Sequence, residues 1–325
     1  MTTTGEFRYL DPASIAPGTK PWTKVDGGGT SFTLTPRDRT VHNIRPYLNN
    51  PSATTHHGNF GTDIDVAGFA VYHAPAQEKD FTSDDAVRTG YYAEVEALLR
   101  AKLPGRVARV EIFDHTIRKH DPTSPRQPVR QVHVDQTPRA AEVRVRRHVT
   151  DLAEPELSAL LKRRFQLINV WRPIGHAATD FPLAVVDWRT TTPAELVPVD
   201  LLYPLRNRED GSNDDRGKEQ LPDPNHVGSK STEGYEVKGE TYGVLPKEGD
   251  DGEGEGGHKF WYVKDMTPDE AMFIKCFDSW GEGKEGGKKG IAALTPHTAF
   301  IDPDTPEGVK GRHSIEVRCL VFYDE

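Results

Sequence analysis

The sequence predicts a mainly β protein, its strands stacked as a sandwich or curled into a barrel of the jelly-roll kind. Three observations carry that expectation. Short runs rich in Val, Ile, Phe and Trp recur from Val107 to the end, bounded by Pro and Gly clusters. Only two stretches, within 83–105 and 151–164, combine helical spacing with caps. No internal repeat breaks the chain into smaller units.

Taken in order, residues 1–60 are rich in Thr, Pro, Gly and Asn and read as an extended arm across the core. Asp63 to Val71 alternates as a strand. Ser83 caps a helix with Asp84 and Asp85 in its first turn and Gly105 beyond its end; Tyr92, Val95, Leu98 and Leu99 recur at core-facing spacing. Val107–Phe113 alternates, and after a Pro-rich loop at 121–128 comes the strand carrying His133. Arg139 to Arg147, interleaved with Val143 and Val145, reads as a strand with one solvated face. A helix capped by Thr150 or Asp151 precedes two β-rich runs, Phe165–Trp171 and Pro182–Trp188.

Residues 207–258 differ in composition, with Asp, Glu, Gly, Ser, Pro and Lys dominant. Such a segment buries too little to offset its ordering entropy, so it reads as a flexible insert or a lid, with Tyr235 to Leu245 docking as a short strand. A second flexible loop is expected at 281–290. Thr267 to Glu270 fits a capping box, but Ala271–Phe277 is short and uniformly apolar and reads as strand. Ile291–Ile301 and Arg312–Tyr323 complete the set, within one domain spanning 1–325.

Composition narrows the function classes. Charged residues make up 28% and hydrophobic ones 35%, with mean hydropathy −0.65, so a polar-surfaced soluble protein is expected. No run approaches the ~18 apolar residues of a membrane helix, and the first residues lack the pattern of a secretory signal. Two cysteines, Cys276 and Cys319, suit a reducing cytoplasmic location. A net charge of −9 argues against a nucleic-acid partner.

The chemistry concentrates in a few positions. Among thirteen histidines only His133 is followed two residues later by a carboxylate, Asp135. Residues two apart on a strand share a face, so imidazole and carboxylate can converge on one ion. With a second histidine from another strand this is the two-His-one-carboxylate set of non-haem Fe(II) sites, which leaves three positions open. His297 lies on the penultimate predicted strand. Fifteen residues on, Arg312-His313-Ser314 is the only Arg-x-Ser, and a guanidinium beside a hydroxyl can grip a carboxylate. Arg318 is the alternative anchor; at ~20 Å along the strand, it and Arg312 do not easily share one carboxylate. Arg172 follows an apolar strand and either meets a substrate carboxylate or packs on Trp171. Tyr262 and Lys275 are further candidates for the barrel lining. His56, His57, His115, His120 and His148 read as surface or locally bonded.

The order His133-x-Asp135, His297, Arg312-x-Ser314 resembles the Fe(II)/2-oxoglutarate-dependent oxygenases. Val132–Pro138, Asn169–Ile174, Lys275–Ser279, Pro296–Phe300 and Arg312–Arg318 resemble one group within them, the fungal gibberellin-desaturase-like and AsaB-like hydroxylases/desaturases, related to the bacterial cephalosporin 7α-methoxylase component. The resemblance spans roughly 60–323, without a counterpart for the acidic insert. It implies a double-stranded β-helix, Fe(II) on His133, Asp135 and His297, 2-oxoglutarate reaching Arg312 and Ser314, and O2 at the remaining position. It further implies hydroxylation, desaturation or oxidative cyclisation of a secondary-metabolite or amino-acid-like substrate. A 2-oxoglutarate-independent iron oxidase and an inactive metal-binding jelly roll are the alternatives.

Overall fold

The computed structural model describes residues 2–48, 63–79, 81–205, 228, 230–247 and 257–324. In chain order the strands are β1 (Thr2–Leu10), β2 (Trp22–Lys24), β3 (Leu34–Asn43), β4 (Phe69–His73), β5 (Val107–Lys119), β6 (His133–Val134), β7 (Phe165–Pro173), β8 (Leu183–Val186), β9 (Leu196–Pro204), β10 (Tyr235–Val244), β11 (Phe260–Tyr262), β12 (Glu270–Asp278), β13 (His297–Ala299) and β14 (His313–Tyr323). They form a nine-stranded sheet, β1-β3-β11-β8-β13-β6-β10-β9-β2, and a five-stranded sheet, β4-β12-β7-β14-β5. The two sheets make a double-stranded β-helix, and the expected mainly β jelly roll is what the chain adopts.

Alternation along the strands places the core. On β7, Leu167 and Trp171 join Val134, Val185, Trp261, Met272 and Ile274 in one apolar cluster, whereas Ile168 and Val170 join Val95, Leu99, Ile315 and Val317 in another. The second cluster is where the helix Tyr92–Lys102 covers the smaller sheet. Ser83 accepts from the Ala86 amide at 3.2 Å, as its capping role requires. Every residue of β7 and β12 is buried, which explains their near-continuous apolar runs.

Several elements differ from the sequence reading. Residues 2–43 are not an arm: β1 and β3 pair antiparallel over their full length and β3 continues the large sheet through β11. A short helix, Ile64–Ala67, precedes β4 where a single strand was expected. Pro138–His148 is a helix, not a strand; the Thr137 hydroxyl accepts from the Ala140 amide at 3.2 Å and Pro138 occupies the first turn. A cap and a proline outweighed two alternating valines, one of which, Val143, lies exposed on the helix. The next helix runs Glu154–Leu161 with Ala153, not Thr150 or Asp151, at its cap. Tyr235–Val244 is a ten-residue strand paired with β9 and with β6, so it forms part of the frame of the site. The remainder of the acidic segment at 206–227, 229 and 248–256 lies outside the described residues, as do His56 and His57. The strand expected over 291–301 is confined to His297–Ala299.

Gly68, at φ +90°, closes the helix Ile64–Ala67; a Cβ there would stand 2.0 Å from Thr295 Oγ1. Beside it Lys275 Nζ bonds Asp65 (2.6 Å), Asp278 (2.8 Å) and the Ala292 carbonyl (2.9 Å), and Arg164 joins the same two carboxylates. Lys275 is fully buried in this network rather than lining the barrel cavity. The network anchors 292–295, the segment that delivers His297.

Candidate metal and cosubstrate site

β6 and β13 lie side by side with His133 directly opposite His297. Their rings stand 4.5 Å apart, and Asp135 Oδ1 is 3.3 Å from His133 Nε2. One ligand atom from each of His133, Asp135 and His297 falls within 4.8 Å of the others, the only such group among the described residues. The sequence placed Asp135 on the His133 strand; the strand ends at Val134 and Asp135 follows in a bend, still beside the imidazoles.

Both tautomers are set by backbone carbonyls. His133 Nδ1 donates to Gln131 O at 2.7 Å and His297 Nδ1 to Thr295 O at 3.1 Å. A carbonyl only accepts, so each Nε2 keeps its lone pair for a metal. Burial, reinforced by His133, pushes His297 down to about 4 and keeps it neutral. Burial works against ionisation of Asp135, but Arg318 and the two imidazoles hold it well below the usual carboxylate range. Two imidazoles and one carboxylate are a donor set that fits Fe(II).

The outer oxygen of Asp135 is occupied. Asn169 Nδ2 donates to Oδ2 at 2.7 Å and Arg318 Nε at 3.2 Å, which turns Oδ1 toward the imidazoles. Arg318 also bonds Asp114 (3.2 Å), Thr116 (2.8 Å) and Glu316 (2.6 Å). Its guanidinium is thus spread over three carboxylates and a hydroxyl.

The cavity that contains the triad extends along β14 and β5, past Glu316, Thr116, Ser314 and Arg118 to Arg312, with Trp171, Val129 and Leu183 as apolar walls. Arg312 is 2% exposed. Its amide donates to Asp180 Oδ2 (2.9 Å) and Nη1 to Phe181 O (2.7 Å); the guanidinium lies over Trp171 at 5.7 Å. Phe181 holds a left-handed φ of +43°, a strained conformation for a non-glycine residue at the point where Arg312 is gripped. Arg312 Nε is buried without a partner, an orphaned donor of the kind an anionic ligand satisfies. Burial, with Arg118 adding to it, pushes this guanidinium down to about 9.

Arg172 does not reach the cavity. Because Trp171 points inward, alternation sends Arg172 to the helix side, where Nε donates to Tyr91 Oη (2.7 Å) and Nη1 to Pro268 O (2.9 Å). Neither expected role holds: it stacks on Tyr91, not on Trp171. Replacing Arg172 by Met should lower stability by about 1–3 kcal/mol, by stranding the buried Tyr91 hydroxyl, and leave 2-oxoglutarate affinity unchanged; denaturant melts and calorimetry check the pair. Tyr262 likewise faces away from the cavity, in the outer apolar cluster with Phe7, Phe260 and Phe300. His115 and His120 are locally bonded, to Tyr92 (2.8 Å) and Asp180 (2.6 Å), and His148 stacks on Phe113.

Sequence reading missed Asn169, Glu316, Thr116 and Arg118. Asn169 had a signal, an amide inside an otherwise apolar run. The β5 residues had one too: the polar positions 114, 116 and 118 continue the alternation of the strand, which was ended too early at Phe113.

A β-helix that brings two imidazoles and a carboxylate to one end of a cavity and a buried arginine to the other has the arrangement expected of a non-haem Fe(II) oxygenase. The comparisons narrow this further. A family model described as "Oxidoreductase/YMDC permease-like domain" matches residues 8–220 and 225–322; among the described residues no helix is long and apolar enough to cross a membrane. The hydroxylase/desaturase AsaB of Aspergillus flavus is 34% identical over 170 residues, 52% of this chain and 60% of that protein. The hydroxylase/desaturase CTB9 of Cercospora beticola is 31% identical over 337 residues, 98% of this chain and 86% of that one. The solved iron and alpha-ketoglutarate-dependent endoperoxidase NvfI superposes with a TM-score of 0.69 at 24% identity, covering 100% of this chain and 99% of that chain. The chain belongs to the hydroxylase/desaturase family of Fe(II)/2-oxoglutarate-dependent dioxygenases.

Proposed function

We propose that His133, Asp135 and His297 hold the Fe(II), that Arg312 with Ser314 takes the distal carboxylate of 2-oxoglutarate, and that the enzyme hydroxylates, desaturates or cyclises a small secondary metabolite at an unactivated C–H bond. The observation that carries this reading is the single cavity with the triad at one end and the partnerless Nε of Arg312 at the other. Bound iron, with O2 and 2-oxoglutarate, supplies the oxidising power.

The chain's own residues bind, orient and shield. Asp135 would compensate metal charge, with Asn169 and Arg318 holding its outer oxygen and leaving Oδ1 turned toward the imidazoles. Trp171, Val129 and Leu183 keep bulk water from the path between metal and anchor. The test is an anaerobic titration of the protein with Fe(II) and then 2-oxoglutarate. A visible metal-to-ligand charge-transfer band that appears only with both is expected, together with succinate formation once air is admitted. Iron binding with no such band would leave the cosubstrate-independent oxidase.

A further inference from the structure

The cavity holds a second arginine that the reading above leaves without work. Arg118 lies on β5 directly opposite Ser314 of β14, so the hydroxyl of the anchor pair has a guanidinium beside it across the ladder. Both Arg118 and Arg312 line the same cavity. Arg118 is tethered by one hydrogen bond, Nη1 to the Gln127 carbonyl at 3.1 Å, and forms no ion pair among the described residues. The carboxylate nearest along the wall, Glu316, is bonded at 2.6 Å to Arg318.

Two guanidiniums facing one cavity repel each other; Arg312 is buried and Arg118 partly so, and the less solvent reaches them the less that repulsion is screened. The arrangement becomes favourable when an anion lies between them, because the repulsion is then replaced by two charge-assisted contacts. Depressed proton affinity of Arg312, to which Arg118 contributes after burial, is the electrostatic trace of that pairing.

We infer that Arg118 is the second cationic arm of the cosubstrate site, closing on the distal carboxylate of 2-oxoglutarate from the β5 side while Arg312 and Ser314 hold it from β14. This rests on the assignment of the cavity to 2-oxoglutarate. It accounts for the register: along β14 the positions run from Arg318 at the metal end, through Glu316 and Ser314, to Arg312 just before the strand, and Arg118 stands level with Ser314 on the neighbouring strand. A substrate meeting the metal beyond Glu316 would not need Arg118.

The test compares two keto acids on the Fe(II)-loaded protein by anaerobic calorimetry. 2-Oxoglutarate carries the distal carboxylate, and 2-oxobutyrate lacks it but presents the same keto-acid end. Wild type should bind 2-oxoglutarate far more tightly. In Arg118→Gln its Kd should rise about 10- to 100-fold, the range of one lost charge-assisted contact, with 2-oxobutyrate unchanged. Arg118→Lys, which keeps the charge, should retain part of the discrimination, and it serves as the second variant if the glutamine form melts early. Unchanged 2-oxoglutarate affinity in Arg118→Gln, with loss in Arg312→Gln, would overturn the role of Arg118 and leave the anchor assignment standing. Equal weakening of both keto acids would make Arg118 structural and overturn it also. Wild type binding the two keto acids equally would remove the anchor assignment itself.

Discussion

His297→Ala should lower Fe(II) affinity by more than about 100-fold, beyond the 10–100-fold that follows loss of a residue merely supporting a ligand. Anaerobic calorimetry or Co(II) absorbance reads the loss, and Asp135→Ala should match it. His297 contributes little else: its one hydrogen bond goes to Thr295 O. The metal-free variant should therefore fold, and it should differ from wild type in its response to acid. Burial lowers His297 from its ordinary value of 6.5 to about 4, so between those values the unfolded chain binds a proton that the folded one does not. Stability of the metal-free wild type accordingly falls as pH drops through this window, by up to about 3 kcal/mol. His297→Ala should lack that component. Parallel melting curves from pH 7 to 4 for the two proteins would contradict the assignment of a buried neutral imidazole.

The second large effect separates two arginines that the sequence left as alternatives. Arg312→Ala should abolish measurable 2-oxoglutarate binding while Fe(II) binding stays within about twofold, because no metal ligand touches Arg312; loss of a charge-assisted bidentate contact supplies the energy. Arg318→Ala should fail differently. Asp135, Asp114 and Glu316 share that guanidinium, and removing it leaves buried carboxylates uncompensated, at about 3–5 kcal/mol for the pair broken. The expected readouts are a lower melting temperature and weaker metal binding, not a selective loss of the cosubstrate. Selective loss of 2-oxoglutarate in Arg318→Ala, with iron binding intact, would reverse the two roles.

Much of the site was legible because its signals are local. His133 and Asp135 declare themselves by spacing, and Arg312-x-Ser314 by residue type and alternation. The helix at Pro138–His148 has local signals too, in Thr137 and Pro138, and these override the valine alternation that suggests a strand. The position of Arg172 follows from strand alternation: once Trp171 faces the cavity, its neighbour cannot.

What the sequence by itself determined is the mainly β character of the chain, the His133-x-Asp135 spacing that offers a metal its donors, and the kind of anion grip that Arg312-x-Ser314 makes available. The tertiary structure alone decided which of these arginines carries ion pairs. Arg312, Arg318 and Arg118 are chemically equivalent guanidiniums along one wall of the cavity, and their surroundings differ through the groups that distant strands bring to them. Asp135, Glu316 and Asp114 occupy Arg318, whereas Phe181 O and Gln127 O tether Arg312 and Arg118 by backbone only. Strand pairing across more than a hundred residues sets those neighbours, and no local pattern encodes it, because a side chain's free valence depends on what packs against it.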